Sequence, residues 1–285
     1  MQKQKNYKFI PKQIEQYRNY LFEQERARNT IQKYIHDLNC LFVFLDGRPL
    51  AKSSLIEWKE HLVTIYTPST VNSMLAAANS FFQFMGWQGL SVRLLKIQHP
   101  LFCDESRELT RAEYVRLVNA AQHQGNERLA LLLQTICATG IRISELPFIT
   151  AEAVQRGRAQ VCNKGKWRTV FLPENLCRLL KKFLKKQKNT GGSVFVTRTG
   201  KPLDRSNIWR DMKALCESAG VTPGKVFPHN LRHLFARTYY SLKKDLSRLA
   251  DILGHSSVNT TRIYTVETGT VHARQLNHMR LILTT

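Results

Sequence analysis

The feature that most constrains the fold of this chain is a break in its helical periodicity between Lys96 and Arg107. Apolar residues recur at helical spacing on both sides of this segment, whereas the segment itself carries proline, aspartate and serine without a regular period. We therefore expect a linker over residues 99–106 that joins two domains, one at 1–98 and one at 107–285. The 285 residues are enough for two domains of ordinary size.

The first domain is predicted to be a small helical bundle. One amphipathic helix is expected over residues 31–45, a second over 54–62, and an earlier one from near Pro11. Thr67 and Pro68 predict the start of a fourth helix, because threonine is a good cap and proline fits the first helical position. About four helices of this length form a plausible bundle.

The second domain is predicted to be mixed, with a small antiparallel sheet among helices, so the whole chain is mainly α with an α+β second half. Thr110 and Glu113 have the spacing of a capping box and predict a helix start. Two short strands are expected over 158–164 and 167–172, joined by a tight turn, and a third over 193–197.

The charge of the chain indicates a polyanionic partner. Lys and Arg number 43 against 21 Asp and Glu, which gives a net charge of +22. Such an excess favours nucleic acid. An anionic membrane is the rival interpretation, but the most apolar stretch, residues 129–143, is interrupted by Gln134 and Arg142 and is too short to cross a bilayer. The N-terminus has no apolar core typical of a signal peptide.

One helical face carries a run of lysines that either is simply solvated or contacts DNA phosphates. The candidate DNA-binding residues are Lys181, Lys182, Lys185 and Lys186 on this face, together with Arg168.

The six cysteines are scattered and never spaced as CxxC, which argues against a zinc ribbon or a disulfide scaffold and favours a reducing compartment. No P-loop, HExxH or GxSxG motif is present. Acidic residues do not cluster, so a two-metal nuclease site is hard to build. His229 and His233 have metal-ligand spacing, but no third ligand is evident. We expect no cofactor and no metal, and a cytoplasmic, nucleoid-associated protein.

Four sequence motifs carry cationic, histidine and tyrosine side chains in a distinctive order. They are Thr-Gly-Ile-Arg-Ile-Ser-Glu-Leu around Arg142, the strand-turn lysine at Lys164, His-Asn-Leu-Arg-His from His229, and Leu-Gly-His-Ser-Ser followed by Thr-Thr-Arg-Ile-Tyr, ending at Tyr264. Together they resemble the tyrosine recombinase (phage integrase) family. The resemblance implies a helical, SAM-like core-binding domain followed by a catalytic domain, with the two clamped around duplex DNA.

By this resemblance, Tyr264 attacks a DNA phosphodiester, leaving a 3′-phosphotyrosyl link and a free 5′ hydroxyl. The residue types suit the reaction, since arginine forks stabilise charge on a transferring phosphoryl group without a metal or ATP. A lysine is a suitable general acid for the leaving oxygen, and histidine can accept or donate a proton. The catalytic residues expected are Arg142, Lys164, His229, Arg232, His255 and Tyr264, with Glu145 and His233 in support.

Bland interpretations stay open for single residues. Tyr264 taken alone fits a core tyrosine, and Lys166 is a rival to Lys164. Glu145 fits an ordinary acid at a helix start. Two other functions also stay open: a DNA-binding regulator on a silent recombinase scaffold, and a type IB-like topoisomerase.

The layout resembles simple Xer-type recombinases and transposon resolvases, since no arm-binding domain precedes the first bundle. The family implies a homotetramer on double-stranded DNA with paired sites. We expect the tail, Val271 to Leu283, to dock into a neighbouring protomer. The sequence leaves integration, excision and resolution of cointegrates or dimers equally open.

Overall fold

The structure, a computed structural model, describes residues 7–97, 104–163, 165–187, 191–264 and 278. Contacts along the chain divide it into two compact units, Met1–His99 and Pro100–Thr285. The architecture confirms the predicted fold class: mainly helical, with a helical first unit and a second unit that holds a small antiparallel sheet. No helix within the described ranges is long and apolar enough to cross a membrane.

Four helices build the first unit, as the apolar periodicity predicts. Its core is aromatic: Tyr17, Trp58 and Phe81 are fully buried, and the Tyr17 hydroxyl donates to Ser80 Oγ at 2.7 Å, so its polar end is satisfied inside the bundle. The helices are α1 Pro11–Glu23, α2 Arg28–Leu45, α3 Lys52–Ile65 and α4 Pro68–Phe84, followed by a 3-10 turn at Gln88–Leu90.

The chain leaves this bundle as an irregular segment that runs back along α4 and is held by two asparagines. Asn79 donates to the carbonyl of Val92 at 2.8 Å and accepts from its N–H at 2.8 Å. Asn72, two turns earlier on α4, makes the same reciprocal pair with Leu95, at 2.9 and 2.7 Å. Each side-chain amide thus satisfies both backbone groups of one residue, as a neighbouring strand would.

Helix α3 also contributes lysines to this segment. Lys59 Nζ donates to the carbonyl of Arg93 at 2.8 Å, and Lys52 Nζ donates to the carbonyl of Ser91. The two lysines, like the two asparagines, lie seven residues apart, and that spacing returns side chains to the same helical face.

The second unit packs its helices around α6. This helix contributes five consecutive buried positions, residues 129–133. The predicted capping box at the start of α5 is confirmed: Thr110 Oγ1 accepts from the Glu113 N–H at 3.2 Å, and Glu113 accepts from the Thr110 N–H at 2.8 Å. The helices are α5 Arg111–His123, α6 Glu127–Thr139, α7 Ala151–Arg156, α8 Glu174–Lys186, α9 Arg205–Ala214, α10 Cys216–Ala219, α11 Pro228–Lys243, α12 Leu246–Leu253 and α13 Val258–Thr261.

The sheet of the second unit is an antiparallel hairpin of β1, Arg158–Asn163, and β2, Lys166–Phe171. Val161 pairs with Arg168 in its register. The expected third strand at 193–197 is wrong. Ser193 bridges to Thr150 and Val196 bridges to Pro202, so the segment meets a different partner at each end and no ladder forms.

Candidate active site

Arg142 enters the site at a sharp break after α6. The helix ends at Gly140, whose φ of +65° is left-handed and where a Cβ would collide with the ring of Phe235. The next residues form a 3-10 helix, Ile143–Phe148, that begins with Glu145 folded back: its carboxylate accepts from the Arg142 N–H at 2.8 Å and from Nη1 at 3.2 Å. Glu145 is 1% exposed, so it fixes the arginine from inside the protein.

Arg168 shares the same carboxylate. Its Nη2 lies 2.7 Å from Glu145 Oε2, and its Nη1 donates to the carbonyl of Ile252 at 2.7 Å. The side chain is only 14% exposed. Burial lowers the pKa of this guanidinium, and the Glu145 carboxylate opposes that effect. The structure therefore differs from the expected contact with DNA: Arg168 points into the protein.

Arg232, on α11, is the most deeply buried of the three arginines, at 1% exposure. It donates to the carbonyl of Gly140 through Nη1 and to the carbonyl of Leu253 through Nη2, at 2.7 Å. Burial, and next the charge of Arg142, lower its pKa to about 10. Its Nε is buried and makes no hydrogen bond of ordinary geometry among the described residues, but the Tyr264 side chain interacts with the guanidinium and opposes the lowering of its pKa.

His255 sits beside Arg232, with Nε2 at 3.0 Å from Nη2 of that arginine. A guanidinium only donates, so Nε2 accepts and the ring proton lies on Nδ1. That nitrogen then donates to Thr261 Oγ1 at 2.8 Å. Burial, and next the charge of Arg232, lower the pKa of His255 to about 4, so the imidazole is neutral near pH 7. In this geometry Nε2 is occupied and cannot donate to a phosphate.

Tyr264 closes the site from the end of a 3-10 turn, Arg262–Tyr264. It is 3% exposed and packs in a small cluster with Leu249 and Leu253. Its ring lies edge-on to His233, with centroids 4.8 Å apart, and stacks with His255 at 6.0 Å.

His229 and His233 lie one turn apart at the start of α11, with ring centroids 4.7 Å apart. His229 reaches solvent, but the protein around its ring removes part of its hydration, and this effect, followed by those of His233 and Arg232, lowers its pKa to about 4. His233 Nδ1 lies 3.5 Å from Glu108, which also pairs with Arg237 at 3.1 Å. His233 therefore links the Tyr264 ring to a network of charged groups.

An open cavity of about 820 Å³ collects part of this cluster. Arg142, His229 and Arg232 line it, and so do Arg205 and Trp209 of α9. The cations leave it strongly electropositive, which suits a phosphate group.

Not every predicted residue joins the cluster. Lys164 lies outside the described residues, and so does the tail from Val271 to Leu283 except His278. The lysines of α8 are exposed, as predicted for that face. One of them, Lys186, pairs with Glu127 at 2.9 Å on the surface.

Several site residues escaped sequence reasoning. Thr261 belongs to a quoted motif, but it lies six residues after His255, which is not the spacing of helical neighbours, so the sequence does not reveal their hydrogen bond. The sequence also gives no indication that Arg168 points inward or that Arg205 and Trp209 line the cavity. Their partners come from distant parts of the chain. Within the described residues, no group of three or more His, Cys, Asp or Glu could hold a metal ion.

Comparison with known proteins gives consistent matches over both units. Residues 107–269 match the Phage integrase family, and residues 14–89 match the phage integrase N-terminal SAM-like domain. Tyrosine recombinase XerD of Vibrio cholerae is 28% identical over 277 residues, which cover 90% of this chain and 91% of the relative. Tyrosine recombinase XerC of Roseiflexus castenholzii is 30% identical over 284 residues, covering 89% and 88%. A lambda integrase tetramer bound to a Holliday junction shares the fold at a TM-score of 0.74 and 16% identity, covering 92% of this chain and 78% of that chain.

Proposed function

This chain belongs to the phage integrase family and is a tyrosine site-specific recombinase, and from that premise we propose that Tyr264 is its nucleophile. The phenolic oxygen attacks the scissile phosphorus, the bond to the 5′ oxygen breaks, and the DNA 3′ phosphate stays on the tyrosine. The freed 5′ hydroxyl of a second strand later attacks that link and restores the tyrosine. The bond energy is kept throughout, so no ATP is needed.

One observation supports this proposal most strongly: Arg142, Arg232 and His229 line a single cavity, and the ring of Tyr264 lies beside two of the site histidines. A phosphodiester carries its charge on the non-bridging oxygens, and preorganised arginines are the groups that stabilise it during transfer. The Arg232 guanidinium also interacts with the Tyr264 side chain, which supports placing the nucleophile at the same phosphate.

The proton steps fall to the remaining residues. We assign Lys164 the protonation of the leaving 5′ oxygen, on the sequence pattern of the hairpin turn. The lowered pKa of His229 keeps its imidazole neutral near pH 7, and we assign this ring to accept the proton of the Tyr264 hydroxyl. His255 holds the Arg232 fork, and it can donate to a phosphate oxygen only when that fork turns toward the substrate and Nε2 carries the ring proton.

The substrate we propose is double-stranded DNA with paired sites, bound by four copies of this chain. The net charge of +22 supports a polyanionic partner, and lambda integrase, which shares the fold, is a tetramer on a Holliday junction. Docking of the tail from Val271 to Leu283 into a neighbouring protomer belongs to the same proposal. The biological task is integration, excision, or resolution of cointegrates or dimers.

Covalent trapping tests the reaction. The protein is incubated with nicked suicide duplexes from its own genetic neighbourhood, with EDTA present, and analysed on a denaturing gel. We expect a shifted protein–DNA band for the wild type and none for Tyr264→Phe, which keeps the ring packing but lacks the attacking oxygen. A band of equal strength in the Tyr264→Phe variant would rule out this nucleophile. Tight duplex binding without any band would favour a DNA-binding regulator.

A further inference from the structure

Three consecutive carbonyls at the end of α12 each accept a hydrogen bond from a different arginine. The pairs are Ile252 with Arg168 at 2.7 Å, Leu253 with Arg232 at 2.7 Å, and Gly254 with Arg142 at 3.4 Å. The last carbonyls of a helix lack partners within it and carry the negative end of its dipole, so cations stabilise them. His255 is the next residue, and its position therefore depends on these three bonds.

Arg168 differs from the other two arginines in where it lies. Arg142 and Arg232 line the cavity, whereas Arg168 is not among its lining residues and is largely buried. Its second Nη nitrogen holds Glu145, and Glu145 holds both the N–H and the guanidinium of Arg142. One side chain thus connects the arginine at the break after α6 to the end of α12.

Gly254 shows how closely the chain is built around Arg168. A Cβ at this position would lie 2.6 Å from Arg168 Cδ and 2.7 Å from its Nε, and the φ of +65° already favours glycine. The backbone that leads into His255 therefore packs directly on the arginine stem. Hydrogen bonding and close packing both fix the same turn.

We propose that Arg168 is a positioning residue for strand cleavage, which holds His255 and Arg142 in register without touching the DNA. The kinetic part of this inference rests on the proposed function. Because β2 leads away from the hairpin turn, the bond from Arg168 to Ile252 also fixes that hairpin against α12. Arg168 acts through Glu145 and the carbonyl of Ile252, and both of its Nη nitrogens are used in doing so.

A direct contact with DNA makes the opposite kinetic prediction. An arginine bound to a phosphate contributes to affinity, so its loss weakens DNA binding and lowers the slope of log affinity on log salt by about 0.9. A positioning residue leaves affinity unchanged and lowers the rate at saturating DNA. A misplacement of about 1 Å at a reacting group is enough to slow a reaction about 100-fold.

The test compares Arg168→Met and Arg168→Lys with the matched control Arg158→Met, an exposed arginine on β1 of the same hairpin. Single-turnover cleavage of the suicide duplex is measured at saturating concentration, and Kd for the duplex is measured separately. We expect cleavage by Arg168→Met to be about 100-fold slower with Kd within twofold of the wild type. Arg168→Lys keeps the charge but cannot reach both acceptors, and we expect about a tenfold loss. Arg158→Met should cleave at the wild-type rate.

A second readout does not depend on cleavage. The pKa of His255 is measured by NMR in the free protein, where both variants should raise it: Arg168→Met removes a positive charge, and Arg168→Lys keeps the charge but frees the end of α12, so that His255 becomes more hydrated. Arg158→Met should leave it unchanged. If the wild type forms no adduct, the proposed function fails while this pKa still decides the inference. A wild-type rate and an unchanged His255 pKa in Arg168→Met would overturn the inference, as would a weaker Kd at an unchanged rate. If Arg168→Met does not fold, Arg168→Lys decides by the same two readouts.

Discussion

The two units of this protein fix an irregular segment of backbone by opposite chemical means. In the first unit, Asn72 and Asn79 hold the segment after α4 through neutral, reciprocal hydrogen bonds. In the second unit, arginines hold the carbonyls at the end of α12 and share one buried carboxylate, that of Glu145. The asparagine contacts are neutral, whereas the arginines together carry more positive charge than the Glu145 carboxylate neutralises.

The difference shows which region is built for a ligand. A side-chain amide carries no net charge, so it offers a polyanion no electrostatic attraction. The arginines repel one another: Arg142 lowers the pKa of both Arg168 and Arg232. Bound phosphate relieves that repulsion, so the same excess that weakens the free site favours binding of DNA.

The largest effect should come from removing the shared carboxylate. Glu145→Gln leaves three neighbouring guanidinium groups without a buried anion, and we expect the free energy of unfolding to fall by about 3 kcal/mol. Urea unfolding with and without sulfate measures it, and sulfate should stabilise the variant more than the wild type.

Glu127→Gln is the matched control, because Glu127 pairs with Lys186 on the surface and its loss should change stability by under about 1 kcal/mol. Equal losses in the two variants would mean that the arginines do not depend on Glu145.

Acid should weaken the arginine anchorage and leave the asparagine anchorage unaffected. The pKa of His255 is about 4 in the folded protein and about 6.5 in an unfolded chain, so the unfolded state binds more protons between these values. The free energy of unfolding should therefore fall as the pH drops from about 6.5 to about 4, by about 2 kcal/mol after allowance for solvent screening.

Urea unfolding across this pH range checks the expectation. His255→Gln should reduce the dependence and leave the part that comes from His229, whereas His123→Gln, at an exposed position in the same unit, should not change it. A profile that His255→Gln leaves unchanged would contradict a buried, neutral His255.

The smallest effect on stability is expected when a single asparagine is replaced. Asn79→Ala removes two hydrogen bonds from a partly exposed site, and we expect a local loss of about 1 kcal/mol. Hydrogen exchange of the Val92 amide should then be about fivefold faster. Leu95, which Asn72 holds, is the internal control, and equal acceleration there would show that the segment detaches as one piece.

The sequence predicts those parts of the fold that depend on patterns of neighbouring residues. The four helices of the first unit and the hairpin follow from apolar spacing and turn residues. The apolar residues of the segment at 193–197 have strand propensity and predict a strand, but its bridges lead to two separate partners, which the sequence does not reveal.

The hairpin also shows why the sequence alone does not predict the role of Arg168. Simple patterning buries tryptophan and exposes arginine, yet Trp167 is 66% exposed and Arg168 is 14% exposed. The cause is Glu145, which lies 23 residues earlier and becomes its partner only in the folded chain. Asn72 and Asn79 look like ordinary surface residues of a helix for the same reason.

The paired asparagines have a mechanical consequence. A force that pulls on the chain beyond Leu95 is shared by two attachments, which lie two helical turns apart on α4. Because there are two of them, the segment cannot rotate about either one alone. The segment from Val92 to Leu95 is therefore held rigidly against α4 and forms part of the helical bundle.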